Sequence, residues 1–278
     1  MSSNHELTSQ GSAIESSASD CRQILLPLNV TAPLGSIWKV NLTSRCLRPE
    51  WMDQSGVDPQ ALEGALRALK RYNWLTFSYG GILTPIRELA AEQPQKQLRV
   101  LDVACGGGDI AVNLALAAKR SGLNVTVDGC DLSPTSVDVA TRNARRTGVS
   151  SRFFQFDVNQ DAWPTDYDII CSSLFLHHLP TPMVELVLNR MGNATRQMVI
   201  VNDLIRSRLG YLLLRYGTLL VTRSPLARYD GPISVAGAFT TSELQQLATR
   251  AGLVGATVTH YWSERMLFVW NKARTANA

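Results

Sequence analysis

The stretch RVLDVACGGGDIAVNLA (99–115) runs an apolar strand pattern into an acid, then three consecutive glycines, then an Ala-rich amphipathic segment. Strand, side-chain-free turn and helix start in that order leave backbone N–H groups aimed at a ligand that can approach closely. The same alternation continues downstream. Runs rich in β-branched and aromatic residues recur at LRVLDVA (98–104), NVTVDGC (124–130), SRFFQFDV (151–158), YDIICSSL (167–174) and QMVIVNDL (197–204), with helix-length segments between them. The first and fourth are apolar enough to be buried on both faces. Alternation of this length predicts an α/β fold, a parallel sheet with helices on both sides.

Helix starts are marked by caps. Asp58 before Pro59, Ser133 before Pro134 and Thr181 before Pro182 each read as an N-cap followed by proline at the first helical position. The first of these opens a helix with Leu62, Leu66 and Leu69 on one face, and a second helical stretch is expected around Leu83 to Ala91. Thr240 and Glu243 form a capping box at the start of TTSELQQLATRAG. Beyond it, GATVTHYW and RMLFVWNK are separated only by Ser263 and Glu264, so they must pair as an antiparallel hairpin.

Composition excludes some function classes. With 45% hydrophobic residues, a 278-residue chain can bury a full core, and no run approaches the roughly 18 apolar residues of a membrane span. The net charge of +4 is spread along the chain without a basic block, so no nucleic-acid partner is expected. Cys21, Cys46, Cys105, Cys130 and Cys171 are odd in number and form no CxxC pair, which fits a reducing, cytoplasmic setting; the last three read as small buried fillers. The Ser-rich start, MSSNHELTSQGSAIESSASD, lacks the features of a secretion signal and reads as disordered.

The glycine turn alone fits two ligands. It reads G-x-G-x-x-A from Gly106 to Ala111, with Asp131 where a dinucleotide fold places its ribose acid, so a nicotinamide-dependent oxidoreductase is one reading. That reading gives no purpose to Asp102, whose carboxylate would repel a pyrophosphate and suits a cationic amine, or to the closing hairpin. Asp157, at the end of FFQFDV, is placed to accept from an exocyclic adenine amine.

On VLDVACGGGD, DGCDLS, FDV and SSLFLHHL, the chain resembles the class I methyltransferases that use S-adenosylmethionine (SAM), over roughly residues 97–272. The resemblance implies a Rossmann-like fold: a seven-stranded, mainly parallel sheet with a C-terminal antiparallel hairpin and an N-terminal helical cap. It implies that Asp102 and the turn Ala104, Cys105, Gly106, Gly107 and Gly108 hold the methionine part. Asp131, beside Leu132, holds the ribose hydroxyls; Asp157 and Val158 contact adenine; and Ser173, in the fourth motif, completes the cofactor set. Ala104 stands where the family pattern has its first glycine, which argues against a positive-φ requirement there. The domain layout is then a tail over 1–40, a helical cap over 41–96 and a SAM-binding domain over 97–273 with an insert over 206–240.

Methyl transfer to a hydroxyl or acidic carbon needs a base, and His177 and His178 follow the fourth strand, at the end where open α/β sheets bind ligands. Adjacent side chains diverge, so one of them, His178 in preference to His177, is expected to face the acceptor. His5 falls in the tail, and His260 in a terminal strand reads as structural. Asn202 and Asp203 resemble part of the metal site of catechol-type methyltransferases, but no carboxylate accompanies them after the fourth strand, so no metal is expected. The insert RSRLGYLLLRYGTLLVTRSPLARYDGPISVAGAFT puts Leu209, Leu212, Leu213, Tyr216 and Leu220 on one helical face and Tyr211, Leu214 and Val221 on the other. A helix so apolar is expected to be covered on both sides, as ordinary packing on the cap or as a lid over a greasy pocket. RPEWMD, ALRALKRYNWL and TRSPLARYDGPISVAGAFT resemble a bacterial subgroup related to quinone-biosynthesis methyltransferases and found beside type III polyketide synthases. That resemblance implies O-methylation of an alkylresorcinol-like phenol, or C-methylation of a quinol ring, with Arg228, Tyr229 and Asp230 as candidates for lining the pocket. A SAM-fold binding protein without turnover would keep the same loops.

Overall fold

The computed structural model describes residues 40–54 and 56–275; the polar start of the chain and His5 lie outside the described residues. Seven strands form one sheet in the order β3-β2-β1-β4-β5-β7-β6. They are β1 (Leu98–Val103), β2 (Val125–Asp131), β3 (Phe153–Gln155), β4 (Ile169–Ser173), β5 (Met198–Leu204), β6 (Thr257–Tyr261) and β7 (Arg265–Asn271). The first five are parallel, and β7 runs antiparallel between β5 and β6, so the sheet closes in the expected hairpin.

Before the sheet come α1 (Pro59–Leu75) and α2 (Ser78–Glu92), and α3 (Asp109–Arg120), α4 (Pro134–Thr147) and α5 (Thr181–Ala194) alternate with the strands. After β5 the chain forms α6 (Arg208–Val221), α7 (Pro225–Gly237) and α8 (Thr241–Arg250), and after β7 the short α9 (Lys272–Thr275). Asp58, Ser133 and Thr240 cap as expected, the last in a full capping box. Thr181 does not: Pro180 occupies the cap position and Thr181 is the first helical residue, its hydroxyl accepting from Arg45 instead. None of the described helices is long and apolar enough to cross a membrane.

Period-two alternation in the central strands sends side chains into two cores. Leu101, Val103, Ile170, Val199 and Val201 meet α5 and α8 on one face, while Leu98, Val100, Ile169 and Ile200 meet α2 and α3 on the other. A third, smaller cluster joins Val40 and Cys46 of the N-terminal segment to Leu204, Tyr211, Leu214 and Val235, above the carboxyl end of β5. The chain leaves β1 toward β2 on one side and returns to β4 on the other. Their carboxyl ends therefore diverge around a crevice, the place where such sheets bind ligands.

Candidate active site and cofactor cleft

The turn after β1 takes the left-handed conformation three times, at Ala104 (φ 56°), Gly106 (φ 52°) and Gly108 (φ 71°). Ala104 thus adopts the positive φ against which its place in the motif argued, a conformation that costs a non-glycine residue about 1–2 kcal/mol. Asp131 fixes the turn, its Oδ2 accepting from Gly106 N at 2.8 Å and its Oδ1 from Ser133 N at 2.9 Å. Each carboxylate oxygen keeps lone pairs free for further donors.

Asp102 is buried at the end of β1, and its Oδ2 has no hydrogen-bond partner among the described residues; Ser173 Oγ nearby is likewise unpaired. Burial, with the charges of Asp109 and Asp131 behind it, pushes the Asp102 carboxyl well above its ordinary range. Asp109 and Asp131 are themselves pushed up, again chiefly by burial. A buried orphan carboxylate among acids is what a cationic amine would relieve. The residues present thus fit the α-amino and ribose groups of SAM.

A cavity of about 710 Å³ opens over this turn, and Asp102, Ala104, Cys105, Gly106, Asp131, Leu132 and Ser173 line it. Gly107 and Gly108 do not line it. The Gly107 carbonyl accepts from Asn143, and a Cβ on Gly108 would come within 2.7 Å of the Ala140 Cβ, so these two glycines serve the packing of the turn on α4. Asp157 and Val158 also lie outside the lining. The Asp157 carboxylate accepts from Asn159 N at 2.8 Å and Gln160 Nε2 at 2.9 Å in the turn that follows β3.

Across the cavity stand the two histidines, on a single 3₁₀ turn (Leu176–His178) after β4. Both line the cavity, their rings 4.1 Å apart. His177 Nδ1 lies 2.6 Å from Asp203 Oδ1, and its Nε2 is 3.6 Å from Glu50 Oε1. His178 Nδ1 lies 2.6 Å from Asp53 Oδ2. Burial opposes charge on both rings, but Glu50, Asp53 and Asp203 outweigh it, raising His177 and holding His178 up to about 10. The three acids are held low in turn: burial raises each, and the imidazoles more than reverse it.

Glu50 and Asp53 reach the histidines from the N-terminal segment, far away in sequence. Arg45 pins that segment through the carbonyls of His177 (2.8 Å) and Leu179 (2.6 Å), and buried Arg206 pins it through the carbonyl of Leu42. Asp230 then accepts from Trp51 N at 2.8 Å and Met52 N at 3.2 Å, which orders the 3₁₀ turn Trp51–Asp53. Burial first, and the nearby Glu50 and Asp53 next, bring the Asp230 carboxyl up to about 7. Ser234, one turn further along α7, donates to Glu50 Oε1 at 2.6 Å.

Of the three residues expected to line the pocket from the insert, only Asp230 does. Arg228 turns back to the carbonyls of Thr222 and Leu219, closing the end of α6, and Tyr229 stacks on Trp51 at 4.0 Å. Glu50, His177 and His178 bring donor atoms within 4.8 Å of one another, a spacing a cation could span. Of these groups, His178 Nδ1 faces Asp53 and Glu50 Oε1 accepts from Ser234. Asn202 is turned away, its amide donating to Ser78 O at 2.6 Å.

The remaining wall is apolar. Leu62, Leu66 and Leu69 of α1 face Leu214, Thr218 and Val221 of α6. Only this inner side of α6 is covered: Leu209, Leu213 and Leu220 on its outer side are exposed, contrary to the expectation of cover on both. Glu50 and Asp53 were missed as chemistry. RPEWMD stood out only as a resemblance, and nothing local marks its acids as partners of histidines more than 120 positions away.

Residues 100–197 match the model of a methyltransferase domain family. A ubiquinone biosynthesis O-methyltransferase of Vibrio cholerae serotype O1 is 33% identical over 124 residues, 44% of this chain and 45% of that protein. The match therefore spans less than half the length of the curated relative. Among solved structures, the apo form of the S-adenosylmethionine-dependent methyltransferase SibL superposes with a TM-score of 0.56 at 17% identity, over 94% of this chain and 76% of that one. The plantazolicin methyltransferase BpumL, solved with a substrate analogue and SAH, gives a TM-score of 0.53 at 15% identity, over 74% and 88% of the two chains. At these identities the likeness is one of fold.

Proposed function

We propose, on the premise that this chain carries a class I SAM-dependent methyltransferase domain, that it methylates the hydroxyl of a small apolar phenol, alkylresorcinol-like or polyketide-derived, with His178 as the base. The single observation that carries the reading is the His178–Asp53 pair on the wall of the cavity that also contains Asp102 and Asp131. SAM, when bound, supplies an electrophilic methyl group on a sulfonium, which passes to the acceptor oxygen as the S–CH₃ bond breaks. Asp102 and Asp131 are the residues that would hold its amine and ribose.

The chain's own work is alignment, dehydration and proton transfer. Asp53 fixes His178 with its Nδ1 proton bound, leaving Nε2 to accept, the logic by which an acid orients a catalytic histidine. A phenol has an ordinary pKa of about 10, so His178, held near 10, exchanges a proton with it in a nearly balanced step once the ring is neutral, and that neutral form gains population as pH rises. The charge pair that results is sheltered by the leucines of α1 and α6. His177, held by Asp203 and facing Glu50, backs His178 and keeps the acids together.

The test is a product screen. The purified protein, SAM and a panel of alkylresorcinols, simple phenols and quinols are incubated, and products are identified by mass spectrometry and NMR. An O-methyl ether supports the reading. A ring C-methyl product would replace it with the quinol alternative. NAD binding in place of SAM by calorimetry would overturn both.

A further inference from the structure

The apolar stripe that α6 turns outward has a definable partner. Leu209, Leu213 and Leu220 recur on one helical face, and Leu220 is 91% exposed. Two more apolar groups are tied to the β6–β7 hairpin. Ser207 Oγ meets Glu264 Oε2 at 2.5 Å, which seats the start of α6 on the β6–β7 turn carrying Trp262, 77% exposed. On the other side of that hairpin Arg265 Nη2 donates to Asn73 at 2.9 Å, and a Cβ on Gly81 would lie 3.0 Å from the Tyr261 hydroxyl. Those contacts bring in the α1–α2 corner with Trp74 and Phe77, each 66% exposed.

The charge around this surface has one sign on the two segments that supply most of it. Arg208 and Arg223 are exposed on residues 206–229, and Arg67, Lys70, Arg71 and Arg87 on residues 67–87, and neither segment contains an acid. A second copy docked symmetrically through the face would set these arginines against one another, since the same patch meets itself. Exposed leucines and tryptophans rimmed by bases match the acyl boundary and headgroups of an anionic bilayer.

We propose that the outer face of α6, the α1–α2 corner and the β6–β7 tip dock this protein on an anionic lipid surface. Docking sets the helix that walls the acceptor cavity between that cavity and the bilayer, so an apolar acceptor dissolved in lipid is drawn from it. Only this last consequence rests on the apolar-phenol reading.

The test is co-sedimentation of the full chain with vesicles of phosphatidylcholine alone or with 30% phosphatidylglycerol, at low and high salt. Binding is expected to the anionic vesicles and to be weakened by salt. L213D/L220D should lower partitioning at least tenfold, and Arg223→Gln about fivefold, close to one lysine or arginine's share at a charged surface. SAM affinity by calorimetry should be unchanged in all variants, which excludes misfolding. Absent binding, equal binding to both vesicle types, full binding by L213D/L220D, or leucine-dependent self-association in sedimentation velocity would each overturn the proposal. Turnover of a short, water-soluble phenol without vesicles reads the methyl-transfer reading separately, so either can fail alone.

Discussion

The two walls of the cavity handle charge in opposite ways. On the cofactor side Asp102, Asp109 and Asp131 crowd together and all three carboxyls are pushed up, with no base among the described residues bonded to Asp102. On the acceptor side Glu50, Asp53 and Asp203 are interleaved with His177 and His178, and the acids are pushed down while the imidazoles are pushed up. One wall leaves Asp102 without a bonded counter-charge; the other contains its own. On the proposed function, a cationic cofactor would be recognised by deficit, whereas the acceptor would meet a proton-handling device already balanced before it arrives.

The sharpest break of this contrast is His178→Ala. Turnover should fall by about a thousandfold, the mid-range for loss of a general base, while the SAM dissociation constant moves less than twofold. Steady-state kinetics and calorimetry on the same preparation check it, and an equal loss in both would mean that the walls are not separable. The converse is Asp131→Ala, which removes an anchor of the turn and the ribose acceptor together. SAM affinity should drop about a hundredfold with the fold intact by circular dichroism. An unchanged dissociation constant would sink the ribose assignment.

Asp53→Asn tests whether the acceptor wall is self-compensated. The working form of His178 is neutral, so kcat/KM should rise with pH toward about 10 in the parent protein. Removing the neighbouring carboxylate stabilises the neutral ring, and the rise should shift about one to three units toward acid. A profile that stays in place would free Asp53 of this role.

The smallest effect is on protons at the cofactor wall. Burial, with the charges of Asp109 and Asp131, pushes Asp102 toward its neutral form, and an arriving ammonium favours the ionised one, so SAM binding should release protons. Calorimetry in buffers of different ionisation enthalpy counts them, and Asp102→Asn should abolish the release. A parent protein that releases none would show that its deficit is met in another way.

Local pattern made the cofactor wall legible, because Asp102, the glycine turn and Asp131 lie within thirty positions on elements whose periodicity is plain. The strands buried on both faces were legible for the same reason. β3 ends at Gln155, short of its apolar run, and the Asp157 carboxylate accepts from the backbone of the turn that follows. At α5, the proline before Thr181 takes the cap position, while the threonine hydroxyl receives Arg45 from 136 residues away. The acceptor wall was only half legible. His177 and His178 could be placed at a strand end, but the contacts that deliver Glu50 and Asp53 are long-range, the hydrogen bond from Trp51 to Asp230 spanning 179 positions and that from Arg45 to the His177 carbonyl 132. The exposed leucines of α6 escaped for another reason: an apolar helix reads as buried unless something outside the chain is its solvent.

The latch between Asp230 and the Trp51–Asp53 turn bears on how such a protein can diverge. Both of its ends lie outside residues 100–197, the stretch shared with the methyltransferase family model. Substitutions in these peripheral segments can reshape the acceptor pocket and re-aim the acids around His178 while the glycine turn, Asp102 and Asp131 stay as they are. On the proposed function, a change of acceptor would then be written in the margins of the chain and leave the cofactor turn as it is.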